Sequence, residues 1–280
     1  MLLRFTKMHG LGNDFVMLDL ITQKARIKPE QIRRLSDRRT GIGFDQLLTV
    51  ETPDDPDMDF RYRIYNADGT EAEQCGNGAR CFTRFVRDRG LTPKTEIRLQ
   101  TNTGDIACKL EKDGNVSVNM GKPVLEPAKI PFVADKLDTE YELALCDAGQ
   151  GRRVTGTAVS MGNPHFVTRV EDVSTAPVEK LGPVLETHER FPALANIGFM
   201  EVVSRDHFRL RVFERGVGET RACGSGACAA MVSGRLLGVL NESVTASLPG
   251  GDLTISWRGE GSDVMMSGPA SRVYEGRLHL

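Results

Sequence analysis

The sequence predicts an α/β (α+β) fold built twice: two similar, pseudo-symmetric domains, each a strand-rich mixed sheet or barrel wrapped around a central helix. Three observations carry this expectation. The segment Phe60 to Ala79 repeats without a gap as Phe208 to Ala227, at an offset of 148, with eight of twenty positions identical. The stretch ahead of each repeated cysteine alternates long polar and apolar side chains, the period of a half-buried strand. The stretch after the second cysteine, Ala227 to Leu240, is apolar on almost every face, and such a helix is stable only when buried all round.

Taken in chain order, the elements follow from these patterns. Gly12-Asn13-Asp14-Phe15-Val16 is echoed by Gly162-Asn163-Pro164-His165-Phe166-Val167, and Ile42-Gly43-Phe44 by Ile197-Gly198-Phe199, with offsets that drift to 150 and 155 as small loop insertions would cause. Phe60 to Tyr65 and Phe208 to Phe213 read as matched strands. The identities are Phe60/Phe208, Arg61/Arg209, Arg63/Arg211, Glu71/Glu219, Cys75/Cys223, Gly76/Gly224, Gly78/Gly226 and Ala79/Ala227. A glycine-bearing loop, the Cys-Gly-x-Gly-Ala signature and a helix follow each strand. Leu99 to Leu110, Asn115 to Met120 and Asp252 to Trp257 are further strand segments. The two copies meet near Gly121-Lys-Pro-Val-Leu-Glu-Pro127, where two prolines and a glycine punctuate the pattern, which puts the first domain at residues 1–123.

Both repeated cysteines stand where a loop turns into a helix. Free backbone N–H groups and the positive end of the helix dipole meet there. That setting is expected to lower a thiol's pKa and favour thiolate, the form that acts as a base. The flanking glycines let the backbone approach a ligand, so its N–H groups can hold a carboxylate. If the copies face each other, Cys75 and Cys223 reach one cleft from opposite sides. Inversion of a carbon stereocentre needs a base on one face and an acid on the other, which a thiolate and a thiol supply.

Composition excludes several rival classes. A formal net charge of -2 gives no basic surplus for nucleic acid or an anionic membrane. The start carries Arg4 and Lys7 where a signal peptide needs an uninterrupted apolar run, and no stretch approaches the roughly 18 apolar residues of a membrane span. The expected location is the cytoplasm. Six cysteines are too dilute for a disulfide-stapled fold. Cys81, Cys108, Cys146 and Cys228 have no repeated counterpart and read as structural. No C-x-x-C and no nearby histidine support zinc, so no metal is expected, and a lone Gly-x-Gly is weak ground for a nucleotide. A redox switch joining Cys75 to Cys223 and a non-catalytic carboxylate binder are the remaining rivals. The first leaves the polar loops without a purpose, and the second needs no second cysteine.

The segments His9-Gly-Leu-Gly-Asn-Asp-Phe15, Glu73-Gln-Cys-Gly-Asn-Gly-Ala-Arg-Cys81, Met161-Gly-Asn-Pro-His165, Glu214-Arg-Gly-Val-Gly-Glu-Thr-Arg-Ala-Cys-Gly-Ser-Gly-Ala227 and Arg272-Val-Tyr-Glu-Gly276 resemble those of the diaminopimelate epimerases. The resemblance implies interconversion of LL- and meso-2,6-diaminopimelate without metal, pyridoxal or other cofactor, in lysine and peptidoglycan synthesis. It implies that residues 269–280 complete the first domain, leaving 124–268 to the second. It assigns Cys75 as acid and Cys223 as base in the LL-to-meso direction, with His165 and Glu214 beside the reacting centre. It assigns substrate binding to Asn13, Gln46, Asn66, Gly76, Asn77, Asn163, Asn196, Glu214, Arg215, Gly224 and Ser225. Tyr274 resembles a dimer-contact residue, which implies a homodimer whose partner molecule is the small substrate, with no nucleic acid or membrane. Ser225 replaces a common threonine and Phe44 a common small residue. The alternative within this architecture is a two-cysteine racemase of the proline racemase type, whose substrate would leave Arg215 and the amides unused.

Overall fold

The computed structural model describes residues 2–72, 75–145 and 153–279; Cys146, Glu73 and Gln74 lie outside the described residues. The chain forms two compact units, Met1–Asn119 with Ser267–Leu280, and Met120–Met266. The first contains β1 (Leu2–Gly10), β2 (Asn13–Asp19), α1 (Pro29–Ser36), β3 (Gln46–Glu51), β4 (Phe60–Asn66), β5 (Glu71–Ala72), α2 (Gly76–Asp88), β6 (Glu96–Gln100), β7 (Asp105–Leu110) and β8 (Val116–Asn119). The second contains β9 (Tyr141–Ala144), β10 (Arg153–Ser160), β11 (Pro164–Arg169), α3 (Val178–Glu186), β12 (Asn196–Ser204), β13 (His207–Glu214), β14 (Gly218–Thr220), α4 (Gly224–Leu236), β15 (Ser243–Leu248) and β16 (Gly251–Ser256). After β17 (Met265–Gly268) the chain ends on β18 (Ser271–His279).

The strand order of the first unit is β18-β1-β2-β3-β4-β6-β7-β8, antiparallel except at β2/β3 and β4/β6, with β5 paired to the end of β4. In the second it is β9-β10-β11-β12-β13-β15-β16, antiparallel except at β11/β12 and β13/β15, with β14 on β13. From β18 to β7 and from β9 to β16 these are one topology, to which the first unit adds β8. Register agrees too: Phe15 pairs with Gln46 as His165 pairs with Asn196. Strand β18 takes beside β1 the place that β9 takes beside β10, and the buried Arg80 of α2 donates to the Pro269 carbonyl of the same C-terminal segment at 3.2 Å.

Each central helix is enclosed by its own sheet. Helix α2 touches β1, β2, β3, β7 and β8, and α4 touches β10, β11, β12, β13, β15 and β16. Ala227 to Gly234 are accordingly buried without a break, removing the whole apolar circumference of α4 from water. The stretch from Leu99 to Leu110 is two strands rather than one. Thr101–Gly104 turn between β6 and β7, with Gly104 at a φ of +139° that a residue with a Cβ rarely adopts. Cys81, Cys108 and Cys228 are buried, and burial pushes the Cys81 and Cys108 thiols up to about 12. Phe44 packs in the core of the first unit with Leu3, Phe5, Leu47 and Leu278.

Two of the repeated identities explain how the cysteine loops are anchored. Arg63 on β4 grips Glu71 on β5 through Nε and Nη2, both at 2.8 Å. Arg211 on β13 grips Glu219 on β14 in the same two-pronged way, at 2.6 and 2.7 Å. Bidentate guanidinium–carboxylate pairs fix orientation as well as distance. In each unit the fork ties a very short strand to a long one just ahead of the cysteine.

Candidate active site

Strand direction gathers the predicted polar residues of each unit at one end of its sheet. In the first unit Asn13 opens β2, Gln46 opens the parallel β3, and Asn66 closes the antiparallel β4, so all three share an edge. Cys75 is the N-cap of α2 at that edge, followed by Gly76 and the buried Asn77. The half-buried Cys75 Sγ accepts from the Gly78 N–H at 3.4 Å and lies 3.7 Å from Asn13 Oδ1, which also accepts from Asn77 Nδ2 at 3.3 Å. Gln46 Nε2 donates to Asn66 Oδ1 at 3.0 Å. Tyr62, buried on β4, donates to the Cys75 carbonyl at 3.1 Å. The second glycine of the signature is set by packing: a Cβ on Gly78 would overlap the Tyr62 hydroxyl, and one on Gly226 would press on Val212 and Cys223 Sγ.

The second unit repeats the arrangement with different chemistry. Asn163 precedes β11, Asn196 opens β12, Glu214 closes β13, and Cys223 caps α4 ahead of Gly224 and Ser225. His165 Nε2 and Asn163 Oδ1 are 3.0 Å apart. Asn196 is buried, donating to the Pro164 carbonyl at 2.9 Å and accepting from the Arg215 backbone N–H at 3.0 Å. The Arg215 side chain donates to the Ala193 carbonyl at 3.0 Å. Thr220 donates to Glu214 Oε1, and Cys223 Sγ lies 3.7 Å from Ser225 Oγ. The site residues thus come as positional pairs: Asn13/Asn163, Gln46/Asn196, Asn66/Glu214, Cys75/Cys223, Gly76/Gly224 and Asn77/Ser225. Arg215 and His165 break the pairing, standing where the first unit has Ala67 and Phe15.

Electrostatics correct one expectation. Burial, and next the Glu214 carboxylate, push the Cys223 thiol well above its ordinary value, against the smaller downward pull of the Ser225 hydroxyl and the Gly226 amide. The helix N-terminus does not dominate there, because the thiol is 4% exposed and a charge on it would lose its hydration. Burial also lowers His165, to about 3, with the Arg215 charge as the lesser cause, so its ring is neutral at neutral pH. A neutral imidazole donates or accepts hydrogen bonds but carries no charge to the site. Among the described residues no group of three His, Cys, Asp or Glu side chains converges as metal ligands would.

A charged cluster beside Asn13 was not foreseen from the sequence. Asp45 Oδ2 accepts from Asn13 Nδ2 at 2.9 Å and from the Asp14 N–H at 3.0 Å. Arg38 bridges Asp14 and Asp45 at 2.7 to 2.9 Å, and Lys7, nearly buried, lies 2.6 Å from Asp14. Burial works to raise the Asp14 carboxyl, but hydrogen bonds from Arg38 and Lys7 overcome it and hold it well below the carboxylate range. The one signal available was adjacency: Asp14 follows Asn13, and Asp45 precedes Gln46.

The family model described as diaminopimelate epimerase matches residues 5–126 and 157–273. Diaminopimelate epimerase of Pseudomonas aeruginosa is 59% identical over 280 residues, covering 100% of both chains; that of Ectopseudomonas mendocina is 57% identical with the same coverage. Among solved structures, a hydroxyproline epimerase from Agrobacterium vitis with bound trans-4-OH-L-proline superposes with a TM-score of 0.70 at 15% identity, over 99% of this chain and 92% of that one. At that identity the likeness concerns the fold. The matched model and the full-length relatives establish that this chain belongs to the diaminopimelate epimerase family.

Proposed function

We propose that this protein interconverts LL- and meso-2,6-diaminopimelate by a two-thiol mechanism that uses no cofactor. The observation that carries the reading is the placement of Cys75 and Cys223 at the N-caps of matched helices, each among polar residues at matched strand ends. In the LL-to-meso direction Cys223 as thiolate takes the α-proton and becomes a thiol. Cys75 as thiol delivers its proton to the opposite face and becomes a thiolate. The products of one turnover are the reactants of the reverse turnover, so charge and protons balance.

The raised Cys223 thiol accords with a site that keeps its proton in the free enzyme and gives it up to solvent as substrate binds, leaving the thiolate that takes the α-proton. A substrate ammonium near Glu214 would offset the carboxylate that disfavours thiolate. Substrate carboxylate on the N–H groups of Gly76, Asn77, Gly224 and Ser225 would take up the negative charge that develops at the α-carbon. Arg215, with Asn13, Gln46, Asn66, Asn163 and Asn196, would read the amino and carboxylate groups of the distal end. We assign His165 to hydrogen-bonding support of Asn163, since its neutral ring suits that task better than proton transfer.

We further propose a cytoplasmic homodimer with Tyr274 in the contact. Tyr274 is exposed on β18 with its ring edge-on to Phe5, and the neighbouring Val273 is also exposed, leaving apolar surface for a second copy. The cysteines among the described residues are free thiols, which suits a reducing compartment, and no described helix is long and apolar enough to cross a membrane. The test is a chiral assay in heavy water, without added cofactor, of LL-diaminopimelate beside L-proline and trans-4-hydroxy-L-proline. Inversion of diaminopimelate with deuterium uptake at the inverted carbon, and inert proline substrates, is the expected result. Turnover of a proline substrate alone would replace this reading with the proline racemase one.

A further inference from the structure

We infer that Asp45 is a positioning residue that decides which way round the Asn13 carboxamide faces Cys75. The Asn13 amide has one donor end and one acceptor end. Its Nδ2 donates to Asp45 Oδ2 at 2.9 Å, which turns Oδ1 toward Cys75 Sγ at 3.7 Å and Asn77 Nδ2 at 3.3 Å. The reversed amide would set its oxygen against a carboxylate and its NH2 against the NH2 of Asn77. Two like contacts replacing two hydrogen bonds make that orientation strongly unfavourable.

Asp45 can impose this because it is itself held. The Asp14 N–H donates to the same Oδ2 at 3.0 Å, Arg38 Nη2 holds Oδ1 at 2.7 Å, and the Asp45 N–H donates back to Asp14 Oδ1 at 2.9 Å. Asp14 in turn is fixed by Arg38 and Lys7. The second unit lacks this device: Pro164 stands at the position of Asp14, and Asn163 meets the His165 ring instead.

The chemical consequence concerns the proton on Cys75. An amide oxygen accepts but cannot donate, so it stabilises S–H and disfavours S⁻. Asp45, acting through Asn13, therefore biases Cys75 toward the acid form, against the pull of the Gly78 N–H toward thiolate. The inference rests on the proposed reaction only for the use of that proton, and its test does not depend on turnover.

Cys75 alkylation by iodoacetamide, followed by peptide mass mapping across a pH series, reads the thiolate fraction directly. In Asp45→Ala the amide is free to rotate and offer Nδ2–H to the sulfur. Cys75 alkylation near neutral pH should then rise about tenfold, with the rate–pH profile moved down by about one unit. Asp45→Asn keeps an acceptor for Asn13 and should stay within about threefold of the parent. Arg38→Gln loosens the hold on Asp45 Oδ1 but leaves the Asn13–Asp45 bond in place, and should move the profile much less than Asp45→Ala does. Should Asp45→Ala fail to fold, Asp45→Glu keeps the charge for Arg38 while displacing the carboxylate from Asn13, and the same downward movement is expected. A folded Asp45→Ala or Asp45→Glu protein with the parent's profile would overturn the inference, as would an equal shift in Arg38→Gln. Failure of the proposed reaction would show separately, as an unsubstituted protein inert toward diaminopimelate.

Discussion

Cys75 and Cys223 occupy one position of one duplicated motif, yet their surroundings differ in kind. Cys75 is half-buried against an amide oxygen held by a charged cluster, whereas Cys223 is buried beside the Glu214 carboxylate and the Ser225 hydroxyl. The scaffold positions are alike in both units: the forks Arg63–Glu71 and Arg211–Glu219, and the close-packed Gly78 and Gly226. The divergence falls on the residues that set charge, where Asn66, Ala67, Asp14 and Phe15 correspond in the repeat to Glu214, Arg215, Pro164 and His165. Packing tolerates few answers to the same geometric problem, whereas the strand ends beside the cysteines have taken different residues in the two units. Pseudo-symmetry of the backbone therefore carries two chemically distinct thiol sites.

The largest effect should come from removing either thiol. Cys75→Ala and Cys223→Ala should each lower inversion at least about 10³-fold, because one face of the carbon loses its proton donor or acceptor. Near-normal inversion in either variant would break the pairing of the two sites. Arg215→Lys should raise KM for diaminopimelate by about tenfold, since an ammonium cannot reproduce a bidentate fork to carboxylate. Unchanged steady-state constants would remove Arg215 from the binding role. Glu214→Gln tests the electrostatic contrast. The carboxylate is the second cause raising the Cys223 thiol, so its neutralisation should lower that thiol and speed Cys223 alkylation about tenfold near neutral pH.

Acid should also tell the units apart. The depressed Asp14 contributes stability above the ordinary carboxylate range, and loses it as pH falls and the carboxylate is protonated. Peptide-level hydrogen exchange near pH 3 should therefore show β1, β2 and β3 opening before β10, β11 and β12, and Asp14→Asn should narrow that difference. The smallest effect should come from the shared forks. Glu71→Gln and Glu219→Gln should each cost about 1 kcal/mol, discounted for their partial exposure, and by similar amounts in denaturant unfolding. A large inequality between the two would mean that the anchoring has diverged as well.

Much of the candidate site was legible because each of its positions is local. Asn13, Gln46, Asn66, Asn163, Asn196 and Glu214 were assigned by resemblance, and all stand at or beside strand ends, of which alternation had located only those of β4 and β13. The Cys-Gly-x-Gly-Ala signature marked two helix starts, and both cysteines are N-caps. The second glycine was read as serving a ligand, but its nearest reason is packing against Tyr62 or Val212, contacts between elements that no local pattern announces. The hairpin inside Leu99–Leu110 was missed because alternation runs on either side of a short polar turn at Thr101–Gly104.

The sequence by itself determined the duplicated α+β architecture, the buried character of α4 and the membership of Cys75 and Cys223 in one repeated motif. These follow from periodicity and identity, which survive in one dimension. Tertiary structure alone decided the state of each thiol and the company it keeps. Whether a helix N-terminus or desolvation dominates at Cys223 depends on how much water reaches the sulfur, and so on packing. Lys7 reaches Asp14 through the antiparallel pairing of β1 and β2, and Asp14 meets Asp45, with Arg38 on both, because β2 and β3 pair in parallel. Charges interact through space rather than along the chain, so a linear pattern of them does not reveal which ones will meet.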